Sequence, residues 1–452
     1  MLNIIIESLN LKTEDVVFPI EKEESATGTC FIITLKKKIQ ICPHCSSPST
    51  LVKGYRKRKI YHKIFEKWDV DIFYNARRFV CPNCRKSFME KNTFGNKDRI
   101  LTASLIDGIL NDLKPFNSTF SSTARKYGVS VTTAMDIFDK HVQIPRKPFT
   151  SVLCWDEFYF TRRLKYKYAF TILDFKKKVI LDIVESRHED VLIKYFHSIP
   201  LEEREKVEFI IIDMYKTYKT MAKTFFKNAK ICIDPFHISK RVNDSVNSQR
   251  KYVMRKKSVD KYSKEYLLLK HYYKLLLKNM EDIEVERKIK SKILGRKVSE
   301  RELLDLILEI DENLKLTYRL KERFIEFNNS EERGYFNREE KESELDLIIK
   351  AMFMANIRPL SDCAKTLRNW KDEILNSFVW IDGRRLSNGP IEGRNAYIKK
   401  IIGNANGLNN FERARNKFMY SQNLYEQYSL TEHKKKIKRE GSKRGPYKKN
   451  KT

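Results

Sequence analysis

The sequence has little glycine and proline: of 452 residues only 14 are Gly and 12 are Pro. That excludes a collagen-like or low-complexity chain. It is also short of acid, with 59 Asp and Glu against 90 Lys and Arg, a formal net charge of +31. No apolar run approaches the ~20 residues of a membrane span. The opening MLNIIIESLN has three consecutive Ile but neither a basic start nor a long apolar stretch, so no signal peptide is expected. No internal repeat of fixed period is evident. What is present is 41% hydrophobic and 12% aromatic residues, which excludes a wholly disordered chain. The length suggests roughly two to four domains. The charge calls for a polyanionic partner, nucleic acid before an anionic membrane. A cytoplasmic, nucleoid-associated location is expected. Disulfides are not expected there, so the eight cysteines need another use.

Four of them form two matched pairs, Cys42-Pro-His-Cys45 and Cys81-Pro-Asn-Cys84, separated by 35 residues. Each pair has the form of a zinc knuckle, and four thiolates make a closed tetrahedron suited to structural Zn²⁺. The spacer reads as strands, with aromatic and charged residues alternating after Arg56, Lys57, Arg58 and Lys59. A β-ribbon carrying those cations can lie on DNA. Cys30, Cys154, Cys232 and Cys363 are scattered, and core packing explains them.

A helical stretch follows from Leu101 to about Val142. Within it Ala124, Gly128 and Val129 have helix-turn-helix spacing. Ser130 would cap the second helix, with Thr132 and Thr133 in its first turn as DNA contacts; a plain structural helical pair is the alternative. IPRKPFTS (144–151) reads as a linker. SVLCWDEFYF, KYAFTILDF and KVILDIVESR then predict an antiparallel meander. A helix, the strand VEFIIIDMY, a second helix and the strand KICIDPF continue it as a mixed α/β sheet. From about Ile238 to Phe378 the pattern is helical. The stretch IDGRRLSNGPIEGRN breaks that run, and HKKKIKREGSKRGPYKKNKT closes the sequence as a basic segment for phosphates.

Three acids stand out. Asp156 follows Leu-Cys-Trp in the first strand, and Asp213 ends the apolar run FIIID, at the sheet rim where ligands bind in open α/β folds. Glu392 opens a helix after a turn. Carboxylates converging there repel unless a cation sits between them, and hard oxygen ligands select Mg²⁺ or Mn²⁺. Glu157, Asp174, Asp182, Glu185 and Asp234 are equally acidic, and composition does not choose among them.

The order of features resembles the DDE transposases of bacterial insertion sequences, most closely the ISL-three family. The paired CPxC knuckle, WDEF, FIIIDMYKTYKTMAK, ICIDPFHISKRVND and SNGPIEGRNAYIKKIIGNANGLNNFERARNKF carry the likeness, from about Ile41 to Phe418. One departure is Ile-Ile-Gly-Asn-Ala-Asn-Gly, where the family more often has a basic residue before the turn. The resemblance implies an RNase-H-like core whose catalytic, metal-binding acids are Asp156, Asp213 and Glu392. It also implies an all-α insertion before the last acid.

The expected domains are an N-terminal segment (1–35), a zinc ribbon (36–95) and a helix-turn-helix domain (96–146). A first segment of the catalytic core (147–250), the insertion (251–380), a second core segment (381–425) and a basic tail (426–452) should follow. Auxiliary roles are expected for Asp234 and His237 near the metals and for Asn388 at the turn. Asn395 and Lys399 should share the Glu392 face, with Lys399 reaching a phosphate. Trp370 is read as core.

The implied function is an insertion-sequence transposase. It would bind double-stranded DNA at terminal inverted repeats, cleave and transfer strands with Mg²⁺ or Mn²⁺, and act as a homodimer or larger. A non-catalytic regulator derived from a transposase and a metal-dependent nuclease are the alternatives. Tyrosine recombination lacks its Arg-His-Arg block.

Overall fold

The computed structural model describes residues 6–7, 9, 11–25, 28–61, 70–92, 100–161, 165–330, 337–405 and 408–422. The basic tail expected at 426–452 and part of the ribbon spacer (62–69) lie outside them. The chain divides into two compact units, residues 146–399 and residues 1–145 with 400–452. Among the described residues no helix is long and apolar enough to cross a membrane.

The first unit begins with β1 (Glu21–Ser25), β2 (Gly28–Ile33), β3 (Gln40–Ile41), β4 (Pro48–Ser49), β5 (Val52–Tyr61), β6 (Val70–Val80), β7 (Ser87–Met89) and β8 (Ile100–Leu101). The six-stranded sheet runs β1-β2-β6-β5-β8, with β7 on β6. Strand β2 pairs parallel to β6. The segment expected to stand alone at 1–35 is therefore built into the sheet of the cysteine ribbon. Alternation along β6 turns Ile72, Tyr74 and Ala76 onto one buried face, with Ile33 and Ile60. There Tyr74 donates to Glu90 at 2.5 Å, and Arg77 pairs with the same carboxylate at 3.3 Å.

Helices α1 (Ala103–Asp112), α2 (Phe120–Lys126) and α3 (Val131–His141) follow. Thr119 and Ser122 close a capping box on α2. Gly128, at φ +59°, makes the turn that a side chain would strain. The Ser130 hydroxyl accepts from the Thr133 N–H at 3.0 Å and starts α3.

The second unit holds β9 (Val152–Tyr159), β10 (Tyr168–Asp174), β11 (Val179–Val184), α4 (Glu189–His197), α5 (Leu201–Glu205), β12 (Phe209–Ile212), α6 (Lys216–Phe225), β13 (Lys230–Ile233) and α7 (Pro235–Lys256). Its sheet order is β11-β10-β9-β12-β13, an antiparallel meander followed by two strands parallel to β9. One face is covered by α4 and α6 through Trp155, Phe170, Phe196, Tyr218 and Phe226. Trp370 is buried in the same cluster, as expected.

The expected all-α insertion is not wholly helical. After α8 (Lys264–His271) comes the hairpin β14 (Lys288–Ser291) and β15 (Arg296–Ser299), then α9 (Glu300–Leu308), α10 (Glu312–Asn329), α11 (Arg338–Met354), α12 (Arg358–Asn369) and α13 (Lys371–Asn376). Gly295, at φ +67°, turns that hairpin. A second hairpin, β16 (Trp380–Ile381) and β17 (Arg384–Arg385), precedes α14 (Gly389–Ala405).

The last helix, α15 (Phe411–Gln422), was expected within the second core segment but packs inside the first unit. Arg413 pairs with Asp139 at 2.5 Å, and the buried Lys417 ammonium donates to the carbonyls of Leu113 and Pro115. Once the helix is amphipathic, these polar contacts fix which partner it takes.

Candidate active site

Register builds the site. Ile211 pairs with Cys154 on one side and with Cys232 on the other. Two residues further along each parallel strand stand Asp156, Asp213 and Asp234. A two-residue step returns to the same face, so three neighbouring strands present a row of aspartates. The Asp234 N–H donates to the Ile212 carbonyl at 3.0 Å, which carries the register to the strand end. Pro235 then opens α7, where its missing N–H costs nothing, and places His237 one turn in.

His237 joins two members of the row. Its Nδ1 lies 2.8 Å from Asp234 Oδ2 and its Nε2 3.0 Å from Asp213 Oδ2. The start of α14 supplies two amides. Asn388 Nδ2 donates to the Trp155 carbonyl at 3.1 Å and to Asp213 Oδ1 at 3.4 Å, while its backbone N–H donates to Asp234 Oδ1 at 3.1 Å. Asn395 Nδ2 donates to Asp156 Oδ2 at 2.7 Å, and its Oδ1 accepts from the fully buried Thr171 hydroxyl at 3.1 Å. Nothing in the sequence singled out Thr171. It faces Asp156 directly in the β9–β10 register.

Glu392 lies exposed in the first turn of α14, and its charge acts on His237. Lys399 is exposed two turns on. Asn395, expected on their face, is buried instead. Three residues advance a helix by 300°, which leaves Asn395 about 60° off the Glu392 line and turned inward.

Of the competing acids, Asp234 belongs to the row and the other four do not join it. Glu157 projects to the other face of β9, where it pairs with Arg187 and accepts from the Tyr218 hydroxyl at 2.5 Å. Asp174 accepts from the N–H groups of Lys176 and Lys177 in a turn, and Asp182 accepts from Tyr195 at 2.8 Å. Glu185 is exposed.

Burial shapes the electrostatics. It pushes Asp156 up to about 6, with the Glu157 charge adding to the effect. It pushes Asp213 up to about 7, reinforced by Asp156 and Asp234 and opposed by His237. The hydrogen bond to Asp234 raises His237 above the ordinary imidazole value. The Asn388 Oδ1 is buried and has no hydrogen-bond partner among the described residues. Crowded carboxylates at raised pKa beside an unsatisfied oxygen form a donor set that a hard divalent cation would satisfy. Within ligand reach of one another are Asp213, Asp234 and His237; Asp156 and Glu392 are outside that tight group.

The four cysteines form the other cluster. Cys42 and Cys84 sulfurs are 3.7 Å apart, and Cys45 and Cys81 sulfurs 3.5 Å. Ligands at ~2.3 Å from a tetrahedral centre are about 3.8 Å apart, so the spacing fits zinc. Both knuckles have the same shape. Ser46 and Arg85, each just after its second cysteine, have φ of 59° and 57°, and each donates its N–H to the first cysteine's carbonyl. Cys30, Cys154, Cys232 and Cys363 are buried.

Residues 153–418 match the family model for the DDE-type ISL3 transposase, described as "Transposase", over more than half of the chain. The chain belongs to the ISL3 transposase family. Residues 39–84 of this transposase also match the zinc-finger model of transposase IS204/IS1001/IS1096/IS1165, which spans both knuckles. A search of curated proteins finds no match.

The expected DNA-contacting residues of the transposase are spread out by the fold. Along β5, Lys57 pairs with Glu23 at 2.5 Å and Lys59 with Asp71 at 2.6 Å, while Arg56 and Arg58 project to the opposite face. Ser130 and Thr132 are exposed at the start of α3. Thr133 is buried, its hydroxyl 2.8 Å from that of Ser130.

Proposed function

We propose that this transposase cuts and joins DNA strands at the rim of its mixed sheet, with Asp156, Asp213 and Glu392 as the ligands of Mg²⁺ or Mn²⁺. The observation that carries this reading is the aspartate row. Strand register sets Asp156 beside Asp213, and α14, pinned to both by Asn395 and Asn388, brings the turn that bears Glu392. The sheet order, a meander followed by two parallel strands, fits the RNase-H-like core that the family resemblance implies.

When bound, divalent ions would offset the charge that develops on the attacking and leaving oxygens of a phosphodiester. The chain's own residues orient the ligands. Asn395 holds one Asp156 oxygen and so orients the carboxylate. His237 takes one oxygen of Asp213 and balances part of the negative charge of the row. Water attacks phosphorus and the P–O3′ bond breaks, which frees a 3′-hydroxyl. That hydroxyl attacks the phosphorus of a target phosphodiester at the same site, and the target P–O3′ bond breaks, so the leaving 3′-oxygen takes up a proton as a new 3′-hydroxyl. The carboxylates serve as ligands, so no covalent protein–DNA bond forms. The zinc ribbon, the basic strand Arg56–Lys59 and the α2–α3 pair with Ser130 and Thr132 would read the inverted ends. Pairing two ends calls for a dimer or a larger complex.

A second reading has its own observation: Asp213, Asp234 and His237 are already within ligand reach of one another. In that case Asp156 and Glu392 would be secondary.

The test uses a DNA fragment with the native flanks, purified protein and Mg²⁺ or Mn²⁺. Discrete nicks at two inverted ends, lost without metal and in Asp156→Asn, are expected. Specific binding without cleavage would support a regulator. Cleavage without joining would support a nuclease. Full activity of Asp156→Asn would overturn the site.

A further inference from the structure

The helical insertion holds a concave cleft whose charged lining residues are all basic, beside the uncharged Met254 and Ser258, and no step of the proposed reaction uses it. It has a volume of about 440 Å³ and is lined by Arg250, Lys251 and Arg255 of α7, Tyr266 and Lys270 of α8, and Tyr273. Helical spacing explains the grouping. Positions 251 and 255 are one turn apart on α7, with 250 on the flank of that stripe, and positions 266 and 270 are one turn apart on α8.

Arg250 is the fixed member. Its Nε and Nη2 donate to Asn247 Oδ1 at 2.9 and 2.8 Å, its Nη1 donates to the Leu269 carbonyl at 2.9 Å, and it lies 5.0 Å from the Tyr273 ring centroid. These bonds tie α7 to the end of α8 and hold the cleft open. Lys251, Arg255 and Lys270 are exposed around it. No Asp or Glu lines the cleft. Among the described residues none of these three cations forms an ion pair, whereas Lys257 close by is paired with Glu265 at 2.6 Å.

Four like charges gathered in one concavity repel each other, and an anion relieves that. A cleft lined by one sign of charge also focuses its field. We propose that this cleft binds the phosphodiester backbone of DNA, as a contact surface of the insertion separate from the aspartate rim. The inference rests on the reading of the chain as a DNA-acting transposase. The chemistry agrees: three exposed cations on long side chains suit spaced phosphates, and two tyrosine rings give the walls apolar and hydrogen-bonding character without acid.

The test is DNA affinity as a function of salt, measured by fluorescence anisotropy with the full chain and a labelled duplex. Three proteins are compared: wild type, Lys251→Gln/Arg255→Gln/Lys270→Gln, and a charge-matched control on the hairpin, Lys288→Gln/Lys290→Gln/Lys297→Gln. All six positions are exposed, so the fold should survive. The cleft variant should lose about 2.7 from the slope of log K against log salt, about 0.9 per phosphate contact. The control should keep the wild-type slope.

An unchanged slope in the cleft variant overturns the proposal and leaves the transposase reading standing. Equal losses in both variants reduce the effect to bulk charge and overturn it too. Polyglutamate displacing the duplex from wild type but not from the cleft variant would make the cleft an acidic-peptide site and overturn it. No binding of wild type to any duplex would overturn the transposase reading itself, and this inference with it.

Discussion

Asn395 donates to Asp156 at 2.7 Å, and the buried hydroxyl of Thr171 fixes which end of that amide does so. With Thr171 donating to Oδ1, the NH₂ group must face Asp156. One hydroxyl on β10 therefore sets the orientation of the carboxylate proposed to hold metal. Thr171→Val keeps the shape and removes the donor. It leaves Asn395 Oδ1 unpaired, which costs about 1–3 kcal/mol. Strand cleavage should fall roughly tenfold, with a higher Mg²⁺ requirement and unchanged DNA affinity. Thr171→Ser should restore most of the activity.

The two carboxylates pushed up by burial give a pH signature in metal-free protein. A folded pKa of about 6 for Asp156, above the ordinary 3.8, means the folded state holds its proton more tightly than the unfolded chain. Its contribution to stability is full below 3.8 and is lost as pH rises through 6. Asp156→Asn carries no such loss. Thermal melts from about pH 4 to about pH 7 should show the variant gaining on wild type as pH rises, and added Mg²⁺ should narrow the gap. A gap independent of pH would mean the carboxylate is not strained by its burial.

Zinc removal should act on the first unit. The sulfurs are spaced for a tetrahedral ion, and four thiolates without one repel as they ionise. Chelation, or Cys81→Ser, should release one zinc per chain and abolish binding to the inverted ends. Zinc content by atomic absorption and specific binding by gel shift check this. Retention of both after chelation would contradict it.

Arg385 is a structural keystone ahead of the Asn388 turn. It is half-buried, donates to the carbonyls of Asn328 and Ser377 and lies 4.0 Å from the Phe378 ring centroid. Burial lowers its pKa to about 10. Arg385→Ala would leave two buried carbonyls short of donors at a cost of about 3 kcal/mol. The melting temperature should fall by roughly 6–12 °C. A drop under about 2 °C would show that the site tolerates the loss.

The ends of the central strands were readable from sequence, because FIIID and ICID are apolar runs closed by an acid. The knuckles were readable from spacing alone. The aspartate row was not, since it depends on register between strands far apart in the chain. Nor was the pairing of β2 with β6, a non-local parallel contact. The hairpin at Lys288–Ser299 was hidden because two four-residue strands rich in lysine resemble a charged helix until Gly295 is seen at positive φ. The cations Arg56 to Lys59 read as one patch in sequence, yet a strand's two-residue period divides them between faces.

The identity of the metal-holding acids is tested most directly by comparing Glu392→Gln with Asp234→Asn in the strand-cleavage assay. Loss of a ligand should cost several kcal/mol of charge stabilisation, on the order of a thousandfold for Glu392→Gln. Asp234 acts through His237 and Asn388, so its variant should lose only about ten- to a hundredfold. The reverse order, with Glu392→Gln active and Asp234→Asn dead, would assign the metal to Asp213, Asp234 and His237 and contradict the proposed Asp156, Asp213 and Glu392 site.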